Sequence, residues 1–170
     1  MKILVISQYF YPENFKINDL VLGLKERGHE IAVLTGIPNY PTGIFFDGYD
    51  KNSGDEVWNG IKIYRSKLIP RGRGGVKLFL NYLSFAFSAS KKVDEIKEKF
   101  DKILVYEPSP ITVGIPAMKA EKKFNIPYFF WVQDLWPESL TAAGGIKNPI
   151  ILNFFDRLTR RISNNAKKVL

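Results

Sequence analysis

An unbroken run of apolar and aromatic residues, Tyr128 to Val132, constrains the fold of this chain more than any other feature. A strand that is exposed on one face alternates apolar and polar side chains, so a run without alternation indicates a strand covered on both faces. Such strands are typical of a parallel sheet with helices on both sides. The run opens directly into a polar and aromatic loop, residues 133–139. Because parallel α/β sheets bind ligands beyond the carboxyl ends of their strands, this loop is the first candidate for a binding site.

The first third of the chain predicts a βαβ unit followed by a long loop. Strands are expected over Lys2–Ser7 and Glu30–Thr35, with a helix between them from residue 18 or 19 to residue 27. Asn18 can cap this helix, and Gly28 follows it where a left-handed residue often closes a helix. The connection should be right-handed. Residues 36–60 are rich in Gly, Pro, Asn and aromatic residues and predict a loop long enough to be functional or mobile.

The rest of the chain repeats the alternation of strands and helices. The last residues, 166–170, resemble the approach to one more strand, so we expect the chain to be part of a longer protein. The further predicted strands are Ile61–Arg65, Asp101–Tyr106 and Tyr128–Val132. The further predicted helices are Val76–Lys99, one that starts at Ser109-Pro110, and one that starts at Asn148-Pro149. The buried stripe of the first of these is predicted as Phe79, Tyr82, Leu83, Ala86, Val93, Ile96 and Phe100, and that of the last as Ile151, Phe154, Phe155, Leu158 and Ile162.

The fold class predicted from this pattern is α/β, with a Rossmann-like, mainly parallel sheet and helices on both faces, in one domain over residues 1–170. A chain of 170 residues with 45% hydrophobic residues can bury a substantial core. It contains no cysteine and a single histidine, His29, which argues against disulfides, thiolate metal sites and a histidine-based metal centre. The start of the chain has too short an apolar run for a signal peptide, and no apolar stretch is long enough to span a bilayer. We therefore expect a cytoplasmic protein without a bound metal.

The net charge of +8 leaves three interpretations open. It can simply keep the protein soluble, attract an anionic membrane surface or phosphate-bearing ligand, or attract nucleic acid. Arg71, Arg73 and Lys77 precede the apolar half-helix 78–89, and such a pattern is typical of a helix that lies on an anionic leaflet. The alternative is that this helix packs in the core behind a solvated basic entry.

Several common motifs are missing from the sequence. The turn after the first strand, residues 7–18, contains no glycine and so cannot be a dinucleotide fingerprint, which argues against an NAD or FAD dehydrogenase. There is no phosphate-binding Walker loop, no G-x-S-x-G nucleophile elbow, and no Asp-x-Asp pair after a strand that would hold a metal and a diphosphate.

Three segments together resemble a known family. The opening 2–13, the segment 24–35 containing Arg-Gly-His-Glu-Ile, and the run Asp-Leu-Trp-Pro-Glu-Ser at 134–139 are similar to the amino-terminal half of GT-B glycosyltransferases of family 4. The last run resembles members that build O-antigen, capsule, lipopolysaccharide or colanic acid, including N-acetyl-fucosamine transferases. The resemblance covers essentially the whole chain.

The resemblance implies retaining, metal-independent transfer of a sugar from a sugar nucleotide to a saccharide acceptor, which polyprenyl diphosphate often carries. This lobe would bind mainly the acceptor, at the inner face of the membrane. A second Rossmann-like lobe, absent from this chain, would bind the donor, so the isolated chain should have little or no activity. No cofactor is implied beyond the sugar nucleotide, which is a substrate.

Candidate catalytic residues follow from the same resemblance. Many family members have a histidine after the strand that ends at Val132, and this chain has Gln133 there, followed by Asp134. Asp134 can orient or deprotonate the acceptor hydroxyl, because a positioned carboxylate can act as a general base. It can equally cap the turn that follows. Glu138 and Ser139 can bond sugar hydroxyls or cap a short helix, and Trp136 can stack on a sugar or simply pack.

The exits of the other strands supply further candidates for substrate binding. Lys16 can reach a donor phosphate through its side chain, although the glycines usual in this loop are missing. The full set of strand-exit candidates is Tyr11, Glu13, Asn14, Lys16, Asn39, Tyr40, Glu107 and Ser109.

Two rival functions remain open. A sugar-nucleotide 2-epimerase of GT-B architecture would share the fold but act on the nucleotide sugar without an acceptor. A basic α/β module that binds nucleic acid would use the positive charge, yet the Lys and Arg residues are spread over several helices and form no recognised nucleic-acid motif, so we expect no nucleic-acid partner.

Overall fold

The computed structural model describes residues 1–72, 74–142 and 148–170. Seven strands of these residues form one sheet in the order β3-β4-β2-β1-β5-β6-β7. The strands are β1 (Lys2–Ile6), β2 (Glu30–Gly36), β3 (Glu56–Trp58), β4 (Ile61–Ser66), β5 (Lys102–Glu107), β6 (Tyr128–Val132) and β7 (Lys168–Val169). The helices are α1 (Lys16–Glu26), α2 (Gly75–Glu95), α3 (Gly114–Phe124), α4 (Glu138–Ala142) and α5 (Pro149–Asn165), and a 3-10 turn over Ile111–Val113 precedes α3.

The sheet is parallel except for its edge strand β3, which pairs antiparallel to β4. The β1–β2 connection runs towards one edge of the sheet, whereas β5 lies on the other side of β1. The direction of the strand order therefore reverses between β1 and β5, and the loops that leave these strands separate to form a crevice. The mainly parallel α/β class predicted from the sequence is confirmed, and β3 is the strand that the sequence did not predict.

Helices cover both faces of the sheet, as predicted. On one face, α1 places Ile17 and Val21 in a core that includes Val5, Val33 and Ile63. The other face carries α2, α3 and α5 over a larger core. That core includes Leu4, Phe85, Val105, Ala117, Phe130 and Ile162. Burial on both sides explains why the strands have unbroken apolar sequences.

Residues with a strong local signal behave as expected. Gly28 ends α1 with a φ of 81°, and Asn125 ends α3 with a φ of 54°, both in the left-handed region. Asn148 caps α5, because its Oδ1 accepts the peptide N–H of Ile150 at 2.9 Å.

Other helix predictions need correction. Asn18 does not cap α1, which begins two residues earlier at Lys16; the Asn18 amide instead donates to the carbonyl of Glu13 at 2.7 Å. The predicted buried stripe of α2 and the residues after it is confirmed at Tyr82, Ala86, Val93, Ile96 and Phe100. In the first half of the helix, however, Phe79 and Leu83 are exposed and Phe85 is buried. On α5, Phe155 and Ile162 are buried as predicted, whereas Ile151 and Phe154 are exposed. Within the described ranges, no helix combines the length and apolar character needed to cross a bilayer.

Candidate functional site

The candidate site is a hollow of about 310 Å³ at the carboxyl edge of the sheet, beside the reversal between β1 and β5. Its walls come from the loops after β1, β2, β4, β5 and β6 and from α2 and α4. The residues that come from the loops after β1, β2 and β4 and from α2 are Tyr9, Phe15, Tyr40, Arg71, Leu78 and Tyr82. Those that come from the loops after β5 and β6 and from α4 are Pro108, Ser109, Asp134, Trp136, Ser139 and Leu140. Of the predicted substrate-binding and catalytic residues, the hollow is lined by Tyr40, Ser109, Asp134, Trp136 and Ser139.

Three aromatic rings form one wall. The rings of Tyr9 and Phe15 stack with centroids 5.1 Å apart and 8° between their planes. Tyr40 lies tilted against both, with its centroid 5.2 Å from each. Aromatic faces of this kind offer a flat apolar surface to a ligand. Tyr9 and Phe15 were not among the predicted site residues, although the density of aromatics in the loop 9–15 was a usable signal.

Arg71 crosses this aromatic wall. Its peptide N–H donates to Oδ1 of Asn39 at 2.7 Å, and its Nη1 donates to the hydroxyl of Tyr9 at 3.1 Å. The guanidinium carbon lies 5.1 Å from the ring centroid of Tyr40, within cation–π range. The sequence left open whether Arg71 faces a membrane or belongs to a solvated basic entry; in the structure it lines the hollow. Lys77 is exposed on α2, and Arg73, the third member of that basic cluster, lies outside the described residues.

Glu107 and Asp134 meet at the tips of β5 and β6. Glu107 is fully buried, and neither of its carboxyl oxygens has a hydrogen-bond partner among the described residues. Burial first and the charge of Asp134 second raise the pKa of Glu107 to about 9, although the nearby peptide N–H groups of Asp134 and Gln133 offset part of the rise. Glu107 is therefore neutral at pH 7. Of these two residues, only the half-buried Asp134 lines the hollow, where its carboxylate can contact a ligand.

The loop after β6 presents two further polar groups. Trp136 is buried, its ring packs against Tyr82 and Phe155, and its indole N–H has no acceptor among the residues described here. Ser139 lies in α4, and its hydroxyl likewise lacks a partner in the described part of the chain. Both residues line the hollow, although these two polar atoms are themselves buried.

Glu13 holds the loops together beneath the aromatic wall. Its buried carboxylate accepts the peptide N–H of Asn39 at 2.8 Å and of Tyr40 at 2.7 Å through Oε1, and that of Phe10 at 3.3 Å through Oε2. Burial raises the pKa of Glu13 to about 7, against the lowering effect of those three N–H groups and of Arg65. In this arrangement Glu13 and Asn39 position the loops that carry the wall.

Most of the other predicted residues lie outside the hollow. Tyr11 stacks on Trp58 with centroids 4.5 Å apart, and its carbonyl accepts from Arg65. The Gln133 amide is exposed and donates to the carbonyl of Val132 at 3.0 Å. Ser109 does line the hollow and has a φ of 124°, a strained value for a residue with a side chain. The exposed residues at the rim are Asn14, Lys16 and Glu138.

A second hollow of similar volume does not offer comparable chemistry. It is lined by charged residues near the amino end of β4, including Lys62, Lys92 and Glu98. There Lys62 pairs with Glu98 at 2.8 Å and Lys92 pairs with Asp55 at 3.0 Å. Because its charges are already paired with each other, the carboxyl-edge hollow is the better candidate.

Comparisons with known proteins bear on the family and the fold of the chain. The family described as "Glycosyl transferase 4-like domain" matches residues 15–170. No curated protein matches the chain in sequence.

Solved structures share the fold at low sequence identity. The chain superposes on a sucrose-phosphate synthase from Thermosynechococcus elongatus with a TM-score of 0.58 and 14% identity, covering 99% of this chain and 41% of that one. It superposes on the trehalose-6-phosphate protein from E. coli bound with UDP-2-fluoro glucose with a TM-score of 0.59 and 12% identity, covering 99% and 39%. For CalG4, the calicheamicin glycosyltransferase, the TM-score is 0.57 at 14% identity, covering 96% and 42%. The chain thus spans about two fifths of the length of these structures.

Proposed function

Because this chain belongs to the glycosyl transferase 4-like domain family, we propose that it is the acceptor-side lobe of a retaining, metal-independent glycosyltransferase. The enzyme moves a sugar from a sugar nucleotide to a saccharide, carried on polyprenyl diphosphate, in surface polysaccharide synthesis of the O-antigen or capsule type. A second lobe, beyond the residues of this chain, binds the nucleotide and closes over the hollow.

The observation that carries this proposal is the hollow itself, which combines aromatic faces with one available carboxylate at the reversal of strand order. An acceptor sugar rests on the exposed ring of Tyr40 with a hydroxyl directed to Asp134. That hydroxyl oxygen bonds to the anomeric carbon of the donor on the same face from which the nucleoside diphosphate departs, so that the configuration is retained. The nucleoside diphosphate leaves with the electrons of the broken C–O bond, and the hydroxyl proton passes to the Asp134 carboxylate. The neutral state of Glu107 keeps a second negative charge away from the reacting groups.

The remaining candidate residues have three different roles in this proposal: contact with the acceptor, contact with the donor or second lobe, and positioning of neighbouring residues. Ser109, Trp136 and Ser139 line the hollow and bond acceptor hydroxyls. The predicted residues outside the hollow meet the donor or the second lobe when the two lobes close. They are Tyr11, Gln133 and the three rim residues Asn14, Lys16 and Glu138. Glu13, Asn39 and Glu107 position their neighbours.

Lipid contact is the second part of the proposal. We define the α2–α5 ridge as Val76, Phe79, Leu80, Leu83 and Phe87 of α2 with Ile150, Ile151 and Phe154 of α5, all exposed. The two helices join through Phe79 and Phe155, whose ring centroids are 6.1 Å apart. Exposed cations flank the ridge, including Lys77, Lys91 and Arg157. Apolar side chains bordered by cations suit the surface of an anionic leaflet, where a lipid-linked acceptor is found.

The test is a transfer assay with the full-length protein. It is incubated with UDP-N-acetylfucosamine, UDP-N-acetylglucosamine, UDP-glucose or GDP-mannose, with and without a polyprenyl-diphosphate-linked N-acetylglucosamine acceptor. We expect elongation of the acceptor with one donor and retention of the anomeric configuration. Interconversion of a nucleotide sugar without acceptor would support an epimerase, and absence of transfer with every donor would contradict the proposal.

A further inference from the structure

We propose that the hollow binds a sugar that carries a phosphate ester, and that Arg71 is the residue that binds the phosphate. The inference names the acceptor class for the proposed transfer and rests on that function for its biological context. Its binding step can be measured separately from transfer.

Both the backbone and the side chain of Arg71 are held in place by neighbouring residues. Its peptide N–H is fixed by Asn39 at 2.7 Å, and Asn39 is itself fixed by Glu13 at 2.8 Å. The guanidinium donates to Tyr9 at 3.1 Å and lies over the ring of Tyr40. A side chain ordered in this way loses little further freedom when it binds a ligand.

Among the described residues, the charged guanidinium of Arg71 forms no salt bridge with a carboxylate. A guanidinium has five N–H donors and remains charged. Among the described residues, one acceptor, the Tyr9 hydroxyl, lies within hydrogen-bond distance of this guanidinium, and no carboxylate lies within 4.0 Å. A half-buried cation with free donors in a hollow is suited to a planar or tetrahedral oxyanion, because guanidinium and phosphate pair bidentately.

Arg65 shows the opposite arrangement and supports the distinction. Its side chain is fully buried, its Nε donates to Glu56 at 2.7 Å, and its Nη1 donates to the carbonyl of Gly36 at 2.9 Å. Arg65 therefore joins loops and has a partner for its charge. Arg71, only six residues later, lies in the wall of an open hollow and has none.

The surroundings of Arg71 also suit the sugar part of such a ligand. The exposed ring of Tyr40, over which the guanidinium lies, offers an apolar face to a sugar ring. The volume of about 310 Å³ suits one sugar phosphate and not a whole nucleotide sugar.

Two sources of this chemistry are possible, a free sugar phosphate and a sugar linked to a lipid diphosphate. The phosphate ester next to the sugar is common to both. Titration calorimetry of this chain with N-acetylglucosamine 1-phosphate, N-acetylglucosamine, inorganic pyrophosphate and geranylgeranyl-diphosphate-linked N-acetylglucosamine separates them. We expect the two phosphorylated sugars to bind at least about tenfold more tightly than N-acetylglucosamine, which is the effect of one charge-assisted pair. Tighter binding of the lipid-linked form than of the monophosphate would identify the diphosphate as the natural group.

The variants are Arg71→Gln, Arg71→Lys and the control Lys67→Gln. Arg71→Gln should remove the preference for phosphorylated sugars. Arg71→Lys should retain part of that preference, because lysine keeps the positive charge but cannot pair with a phosphate bidentately. Lys67 is exposed and lies outside the hollow. Lys67→Gln therefore shows how much a loss of one positive charge alone weakens the binding of phosphorylated sugars. If Arg71→Gln lowers the melting temperature, the comparison rests on Arg71→Lys, whose charge can keep the contact with Tyr9.

Equal binding of phosphorylated and unphosphorylated sugar, or an unchanged preference in both Arg71 variants, would overturn the inference. The transfer assay keeps this failure separate from failure of the proposed function. Transfer to an uncharged saccharide without sugar-phosphate binding overturns only the role of Arg71, whereas sugar-phosphate binding without any transfer overturns the glycosyltransferase.

Discussion

Glu107 and Asp134 lie side by side at the ends of neighbouring parallel strands, and burial together with the charge of Asp134 raises the pKa of Glu107 to about 9. Two carboxyl groups in one site rarely ionise together, so the more buried one keeps its proton and the more exposed one carries the charge. This division of roles depends on the strand order, because β5 and β6 are adjacent and parallel. It also makes the stability of the domain depend on pH.

Glu107→Gln should stabilise the protein at alkaline pH. The folded protein holds a proton on Glu107 between about pH 4.5 and 9 that the unfolded chain releases, so stability falls as the pH rises through this window. The amide has no such proton to lose. We expect the variant to be more stable near pH 9 by about 1–3 kcal/mol and close to wild type near pH 4.5. Urea unfolding across this range measures both values.

Glu98→Gln is the matched control for this experiment. Glu98 accepts from Lys2, Lys62 and Tyr64, and these bonds lower its pKa to about 2. Its contribution is therefore present above pH 4.5 and is lost as the pH falls towards 2. The control should be destabilised at neutral pH and should flatten the acid side of the curve. An identical alkaline slope in wild type and Glu107→Gln would show that Glu107 titrates normally.

Glu13→Gln should have the opposite effect to Glu107→Gln, although both residues are buried glutamates. Glu13 accepts three peptide N–H groups, and an amide in its place would turn an NH2 group towards one of these donors. We expect a loss of about 1–3 kcal/mol above pH 7, measured by urea unfolding. Glu26→Gln, at an exposed position of α1, should change stability little. A stable Glu13→Gln variant would mean that the loops do not depend on this carboxylate.

Asp134→Asn should lower kcat of the full-length enzyme and leave KM nearly unchanged. The amide keeps the shape of the side chain but cannot take the acceptor proton, and loss of a general base costs about 10²–10⁴ in rate. Asp94→Asn removes a carboxylate of equal charge that is paired with Lys119 on the surface, so its kcat should match wild type. If KM rises while kcat persists, Asp134 binds the acceptor without accepting its proton.

The sequence predicted those parts of the fold that have a local cause. The apolar run of β6, the left-handed Gly28 and the capping Asn148 each depend on a few neighbouring residues. The buried face of α2 could not be predicted in the same way, because its first half is apolar nearly all round and periodicity does not fix its rotation. The structure selects a face with Phe85 and the polar Asn81 inward, and the Asn81 side chain accepts from Gln8 at 2.7 Å.

The candidate site shows the same limit. Asp134, Ser109 and Tyr40 could be selected because each follows a predicted strand, and strand ends meet at one edge. Arg71 could not be assigned to the hollow, because its partners Tyr9 and Asn39 lie 62 and 32 residues away in sequence. In the sequence, Arg71 belongs to a group of basic residues that precedes the apolar helix α2, and this pattern is also typical of a membrane contact. Long-range pairing of side chains, and not local pattern, decides which way such a residue points.

The α2–α5 ridge should bind anionic vesicles. Leu80 and Phe154 are 43% and 58% exposed on the two helices, and insertion of one such side chain into a leaflet is worth about 1.5–3 kcal/mol. Leu80→Ser and Phe154→Ser should each weaken binding to vesicles of equal parts phosphatidylglycerol and phosphatidylcholine by about tenfold or more. Val57→Ser is the matched control, because Val57 is 70% exposed but lies on the edge strand β3. Cosedimentation measures binding, and vesicles of phosphatidylcholine alone show whether the flanking cations contribute. Equal binding by the wild type and all three variants would assign the ridge to a protein contact and not to lipid, whereas equal binding to both kinds of vesicle would show that the flanking cations do not contribute.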